Sequence, residues 1–188
     1  MPSIFESPDL DPEAVAARLL VTPSALDELT LDDAVRVVRY MRPKRIAAGT
    51  VFIREGEVQH NDYMLLVLEG DIAVESELLR VNETLVVNVL GPGHLIGEMG
   101  MLDGSPRSAT CTASTDIAAA VMSRSALMSL LATEPRVGSR LLLAISKRMA
   151  DRLRETTRKL RTFAQMNKAL QEELQEISNH RPRRDTSS

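Results

Sequence analysis

The sequence predicts a mainly β domain, built as a barrel or a double-sheet jelly roll, with short helices before it and one long helix after it. Three observations carry this expectation. Between Lys44 and Ser123, short β-rich runs alternate with glycine-bearing turns. Ahead of them, two segments join a capping residue to a run that suits a helix. Beyond Pro135, apolar residues recur every seven positions.

The first helix is expected where Asp11-Pro12-Glu13 precedes Ala14 to Leu20. An aspartate can cap the free N–H groups, and proline suits the first turn. A second helix opens at Thr30-Leu31-Asp32-Asp33 and is expected to reach about Met41. Ala34, Val37, Val38 and Met41 fall on one face, and Pro43 stops it. Strands are then expected over 50–53, 63–68, 72–74, 85–90, 108–113 and 117–122. Turns are placed at Glu55-Gly56-Glu57, Glu69-Gly70-Asp71, Gly91-Pro92-Gly93 and Asp103-Gly104. A short helix over 125–134 ends at Pro135, and a long one runs over 136–178.

The long helix carries two interleaved heptad series. Leu153, Leu160, Asn167 and Leu174 form one, and Thr156, Phe163, Leu170 and Ile177 follow three residues later. This is the a/d seam of a two-stranded coiled coil, so a homodimer is expected. Asn167 at an a position would fix the register of that pair. The polar segment 179–188 is expected to be a disordered tail.

Composition narrows the function classes. With 188 residues, one core plus an appendage is the natural size. The net charge is −3, so bulk electrostatics do not make a polyanion binder. The single cysteine, Cys111, excludes an internal disulfide framework and fits a reducing cytoplasm. No apolar run has the length of a membrane span, and the acidic, proline-bearing start is no secretory signal. A cytoplasmic protein is expected. His60, His94 and His180 show no metal-ligand spacing, and no serine or cysteine sits in a recognisable catalytic motif. Neither an enzyme nor a bound cofactor or metal is therefore expected.

The segment richest in chemistry runs Gly97-Glu98-Met99-Gly100-Met101-Leu102-Asp103-Gly104-Ser105-Pro106-Arg107-Ser108-Ala109-Thr110. A short helix start aims backbone N–H groups at an anion. Gly97 and Gly100 let the backbone approach a ligand closely. Arg107 offers a planar fork to phosphate oxygens, and the Glu98 carboxylate can accept from a ribose hydroxyl. These residues suit a small cyclic phosphate ester of a ribonucleoside.

This segment resembles the phosphate-binding cassette of the cyclic-nucleotide-binding domain family, whose members include bacterial catabolite activators and the regulatory subunits of cyclic-AMP-dependent kinase. The resemblance extends over about residues 30–160. It implies an eight-stranded jelly roll over 30–135, preceded by helices and an extension, 1–29, that the minimal fold does not need. It also implies that the long helix, 136–178, dimerises. By the resemblance Arg107 pairs with the cyclic phosphate, Glu98 with the ribose 2′-hydroxyl, and Gly97, Met99, Gly100, Ser108 and Ala109 complete the same pocket. Gly49, Gly56, Gly70 and Gly93 stand where the family has turn glycines. In bacterial activators a Thr-Ser pair on the long helix meets adenine, and Thr156-Thr157 stand in that position here. Ser108 matches the bacterial activators and favours cyclic AMP, with cyclic GMP left open.

The bacterial activators continue into a DNA-binding domain, which ten residues beyond Ser178 cannot build. A stand-alone receptor without direct DNA or membrane binding is therefore expected, acting in trans on an unidentified effector protein. The N-terminal segment and the distal coiled coil are its candidate contact surfaces. A ligand-independent dimeric scaffold is the principal rival. A nucleic-acid binder using Arg148, Arg152, Arg154, Arg158, Lys159 and Arg161 is another; these residues interleave with the seam and read as a solvated helix face. A cyclic-nucleotide hydrolase is the least favoured.

Overall fold

The computed structural model describes residues 11–77 and 84–179, with side chains over 11–75 and 88–175. The first ten residues of the expected extension, His180 and the rest of the tail beyond Asn179 lie outside the described residues. So does the side chain of Ile177. Compactness divides the chain into two units, Met1–Ser146 and Lys147–Ser188.

In the first unit, α1 (Pro12–Leu20) begins as expected, with Asp11 accepting from the Glu13 N–H at 3.0 Å. Helix α2 (Leu31–Val38) is opened by a reciprocal cap. The Thr30 hydroxyl accepts from the Asp33 N–H, and the Asp33 carboxylate accepts from Thr30. Helix α2 ends at Val38, three residues short of the expected Met41. Arg39 and Tyr40 form a turn, and Met41 donates its N–H back to the Val38 carbonyl while staying buried.

Eight strands follow: β1 (Arg42–Ile46), β2 (Val51–Ile53), β3 (Tyr63–Glu69), β4 (Ile72–Glu77), β5 (Thr84–Leu90), β6 (Leu95–Ile96), β7 (Thr110–Ala113) and β8 (Ile117–Ser123). They form two antiparallel four-stranded sheets, ordered β1-β8-β3-β6 and β2-β7-β4-β5. This is the expected jelly roll. Two of the strands escape the sequence pattern. Strand β1 contains Pro43 and buries only Ile46, so it shows no alternation; proline is tolerated because the strand is a sheet edge. Strand β6 has two residues, too few for any period. Strand β7 begins at Thr110, not Ser108, because Ser108 and Ala109 still belong to the bend after Arg107.

The core lies between the sheets. Ile46, Ile53, Leu65, Val67, Ile72, Ile96, Cys111, Ala113, Ile117 and Ala119 pack there as one cluster, with Cys111 serving as a small apolar residue. Strand β3 is buried on both faces, which is why it reads as an unbroken apolar run. Leu65 and Val67 face the cluster, and Met64, Leu66 and Leu68 point the other way; α1 packs on this strand. Ala16, Ala17, Leu20, Ala25, Leu26 and Leu29 are all buried. The described part of the expected extension, 11–29, is thus an integral layer of the first unit rather than a free appendage.

Two further helices close the first unit and lead out of it. Helix α4 (Arg124–Thr133) starts one residue earlier than expected, capped by the Ser123 hydroxyl. The break follows at Glu134, whose backbone (φ −130°, ψ 67°) leaves the helical region, as a residue before proline tends to do. Helix α5 (Pro135–Asn179) extends one residue beyond the expected range at each end, so Asn179 is helical rather than part of a tail. Side-chain bonds tie α2 and the turn after it to this junction: Arg36 to Glu134 at 3.2 Å, Tyr40 to Thr133 at 2.6 Å, and Arg140 to Asp33 at 3.0 Å. Burial works to raise the Asp33 pKa, but bonds from Thr30 and Arg140 outweigh it and hold the carboxyl below its ordinary value.

The second unit, over its described residues, is the C-terminal part of α5. Leu153, Leu160, Phe163, Leu170 and Leu174 are all exposed, as is Asn167. Arg154 pairs with Asp151 at 2.7 Å and Lys159 with Glu155 at 2.8 Å along the same helix. Part of the basic stretch is thus a solvated, internally paired surface. Among the described residues no helix is long and apolar enough to cross a membrane.

Candidate functional site

Arg107 organises the site. It follows the turn Gly104-Ser105-Pro106 and is pinned to the β2–β3 loop from both sides. Its N–H donates to the Glu57 carbonyl at 3.0 Å, and its carbonyl accepts from the Gly56 N–H at 2.8 Å. The side chain is 5% exposed. Nη1 donates to the Gly97 carbonyl at 2.9 Å, and Nη2 donates to the carbonyls of His60 at 3.2 Å and Tyr63 at 3.1 Å. The guanidinium also lies 4.6 Å from the Tyr63 ring centre, within cation–π reach. A guanidinium has five N–H donors. Among the described residues the three carbonyls are its acceptors, so one Nη1–H and the Nε–H are left for an anion.

Tyr63 is fixed in turn, its hydroxyl donating to the Phe52 carbonyl at 3.0 Å. Burial raises its phenol pKa, with Arg107 opposing. His60 has φ 54°, an unusual conformation for a residue with a side chain; it is at this residue that the chain presents a carbonyl to Arg107.

The Gly97–Asp103 arm supplies the second half. Helix α3 (Glu98–Asp103) is entered through Gly97 at φ 82°. A Cβ on Gly97 would lie 2.7 Å from Arg107 Nη1 and 3.0 Å from the Tyr63 carbonyl oxygen. Only glycine fits both that backbone and that approach. The Gly97 carbonyl accepts from Arg107 and from the Met101 N–H at 3.2 Å. Glu98, at the first helical position, is 2% exposed, and Gly100 is buried beside the guanidinium. Met99 is exposed, while Met101 and Met122 are fully buried, which makes these two core residues. Ser108 is exposed and Ala109 half-buried.

The expected cassette residues Gly97, Glu98, Gly100 and Arg107 are therefore brought together. Thr156 and Thr157 lie in the second unit, each donating its hydroxyl hydrogen to its own helix: to the Arg152 carbonyl and the Leu153 carbonyl, both at 2.9 Å. Sequence reasoning missed the carbonyls of His60 and Tyr63, because a backbone acceptor has no residue-type signature. It also missed Asn61 and Arg124, which hold α3 from its far end. Among the described residues no group of three His, Cys, Asp or Glu is placed to hold a metal ion.

Comparison with known proteins places this geometry. Residues 43–134 match the family described as the cyclic nucleotide-binding domain. The chain is 33% identical over 122 residues to a cyclic nucleotide-gated potassium channel of Rhizobium etli, covering 65% of this chain and 28% of the channel. It is 28% identical over 129 residues to a CRP-like cAMP-activated global transcriptional regulator of Mycobacterium tuberculosis, covering 69% of this chain and 53% of the regulator. Thus it spans about half or less of the length of these relatives. Among solved structures, a cyclic nucleotide-binding domain from Methylobacillus flagellatus superimposes with a TM-score of 0.66 at 29% identity, covering 76% of this chain and 79% of that one.

Proposed function

The chain belongs to the cyclic nucleotide-binding domain family, and from that premise we propose that it is a cyclic-nucleotide receptor, with cyclic AMP the favoured ligand, that regulates a partner protein in trans as a homodimer. The observation that carries the ligand assignment is Arg107: a buried guanidinium, aimed by three backbone carbonyls, with two donors left beside a glycine-opened helix start. A cyclic phosphate carries one negative charge and two exposed oxygens, which suits the two remaining donors. The Glu98 carboxylate, at the edge of the same arm, takes the ribose 2′-hydroxyl. Gly97, Met99, Gly100, Ser108 and Ala109 complete the phosphate end.

Thr156 and Thr157 are assigned to the base. With their hydrogens given to helix carbonyls, each hydroxyl keeps acceptor lone pairs. Those acceptors can take a hydrogen bond from the 6-amino group of adenine, but the N1–H and 2-amino groups of guanine can use them too. The preference for cyclic AMP therefore rests on Ser108 and its likeness to the bacterial activators. Changing both to valine is expected to weaken cyclic AMP binding roughly 10- to 100-fold, the loss of two modest hydrogen bonds. Phosphate contacts would be untouched. An unchanged affinity would assign the base to other groups.

Regulation requires the ligand to bind one state of the protein better than another, since equal affinity shifts nothing. The test of the receptor reading is calorimetric titration of the full chain with cyclic AMP, with cyclic GMP and linear AMP as competitors. One cyclic nucleotide per chain, with linear AMP far weaker, supports it. No heat and no thermal stabilisation with any of them, from protein free of copurified nucleotide, overturns it in favour of a ligand-independent scaffold.

A further inference from the structure

We propose that Arg124 is a positioning residue for the phosphate-binding arm, holding α3 by its C-terminal carbonyls so that the opposite end is presented to the ligand. Arg124 is the first residue of α4, far along the chain from α3. Its Nε donates to the Met101 carbonyl at 2.6 Å, and its Nη2 reaches the Gly100 carbonyl at 3.5 Å. Its own backbone N–H donates to the Asp62 carbonyl at 2.7 Å. Asp62 lies in the segment whose His60 and Tyr63 carbonyls hold Arg107.

A six-residue helix has little stability of its own. The last carbonyls of such a helix have no partner within it, and a cation at that end is favourable to the helix dipole. Arg124 meets both needs with one side chain. Asn61 acts from the other side, its amide donating to the carbonyls of Gly104 at 2.8 Å and Ser105 at 3.0 Å. Gly104 closes the helix at φ 75°, and a Cβ there would come within 3.5 Å of the Arg124 Nη2. The same turn is further fixed by Asp103, which accepts from the Ser105 N–H at 2.8 Å. That bond and the Ser105 side chain lower the Asp103 pKa. Through Arg124, the arm that carries Gly97 and Glu98 is fastened to α4 and to the loop behind Arg107.

The inference rests on the receptor reading for its ligand consequence, but its mechanical content can be read without ligand. Two variants separate the roles. In Arg124→Gln the amide nitrogen sits at the same number of bonds from Cα as the arginine Nε, so the bond to Met101 can be kept. In Arg124→Met the chain length is similar and the donor is gone. Hydrogen exchange of the free protein is followed at the Met101 and Gly104 amides, which donate within this arm to Gly97 and Gly100. Cyclic AMP titration is run on the same three proteins, well below their melting temperatures.

Arg124→Met is expected to speed exchange at those two amides and to weaken cyclic AMP roughly tenfold, the order of one lost charge-assisted hydrogen bond. Arg124→Gln should restore most of both. A merely structural role would lower the melting temperature and leave the affinity of the folded protein unchanged. Wild-type exchange in Arg124→Met overturns the inference whatever the ligand does. Faster exchange with unchanged affinity overturns the ligand consequence. If the wild type binds no cyclic nucleotide while the exchange difference persists, the receptor reading fails and the fastening of α3 stands.

Discussion

Replacing Arg107 with alanine is expected to leave a folded protein that binds cyclic AMP about 30- to several-thousand-fold more weakly. The estimate is the roughly 2–5 kcal/mol lost when one partner of a buried, hydrogen-bonded charge pair is removed. Part of it has nothing to do with attraction to phosphate. In the wild type the guanidinium is held by the carbonyls of Gly97, His60 and Tyr63 and lies against the Tyr63 ring, so it is oriented before a ligand arrives. The alanine variant loses the charge and also takes the described donor from the carbonyls of His60 and Tyr63, while the Gly97 carbonyl keeps the Met101 N–H. Each buried acceptor left without a donor costs about 1–3 kcal/mol, less where water can enter the gap.

A fall in melting temperature should therefore accompany the loss of binding, and the two must be separated. Arg107→Lys does so. Lysine keeps the positive charge, but one ammonium, with three donors, cannot span three carbonyls and still offer two more to a ligand. If charge alone mattered, lysine would bind nearly as well as wild type. On the geometry described above, it should recover some stability and little affinity. Calorimetric titration, with a circular dichroism melt of each variant, reads both quantities. An alanine variant that is folded and binds like wild type would falsify the pocket assignment.

The same residues explain how much of the site was legible in the sequence. Gly97, Glu98, Gly100 and Arg107 fall within one segment, and each contributes through what its side chain is or lacks. Such features survive in a sequence of letters. Arg107's supports do not, because they are carbonyls of His60 and Tyr63, brought in by a loop more than forty positions earlier. Any residue type has a carbonyl, so identity carries no signal. Asn61 and Arg124 do act through side chains, but their targets are again carbonyls. The fold shows the same division. Strands with a buried face, such as β3 and β8, announced themselves through apolar content, while β1 was hidden by its charged residues and proline. The helical caps at Asp11 and Thr30 were visible because capping depends on side-chain chemistry at fixed spacing.

Leu160→Asp is expected to convert a dimer into a monomer while leaving the first unit folded. The side chain of Leu160 is 68% exposed and that of Phe163 62%, in company with Leu153, Leu170 and Leu174 at heptad spacing. A helix surface that repeats apolar residues this regularly gains little from water and much from a matching partner. Burying one leucine is worth about 1.5–3 kcal/mol. In a symmetric pair it counts in both protomers, so its loss raises the dimer dissociation constant by about 10²–10⁴-fold. Aspartate adds the penalty of two like charges facing each other across the seam. Sedimentation at micromolar concentration reads the oligomeric state directly. Far-ultraviolet circular dichroism supplies a second readout, since the distal part of α5 is expected to depend on such a partner and to lose helix when monomeric. Lys168→Ala, an exposed position whose ion pair among the described residues is with Glu172 at 3.8 Å, serves as the control that should change neither. Asn167→Leu supplies the opposite sign. An apolar residue at that a position should tighten association while loosening its two-stranded specificity, so higher oligomers should appear. A wild type that sediments as a monomer at these concentrations, or a Leu160→Asp variant that remains dimeric, would place the dimer contact elsewhere or remove it.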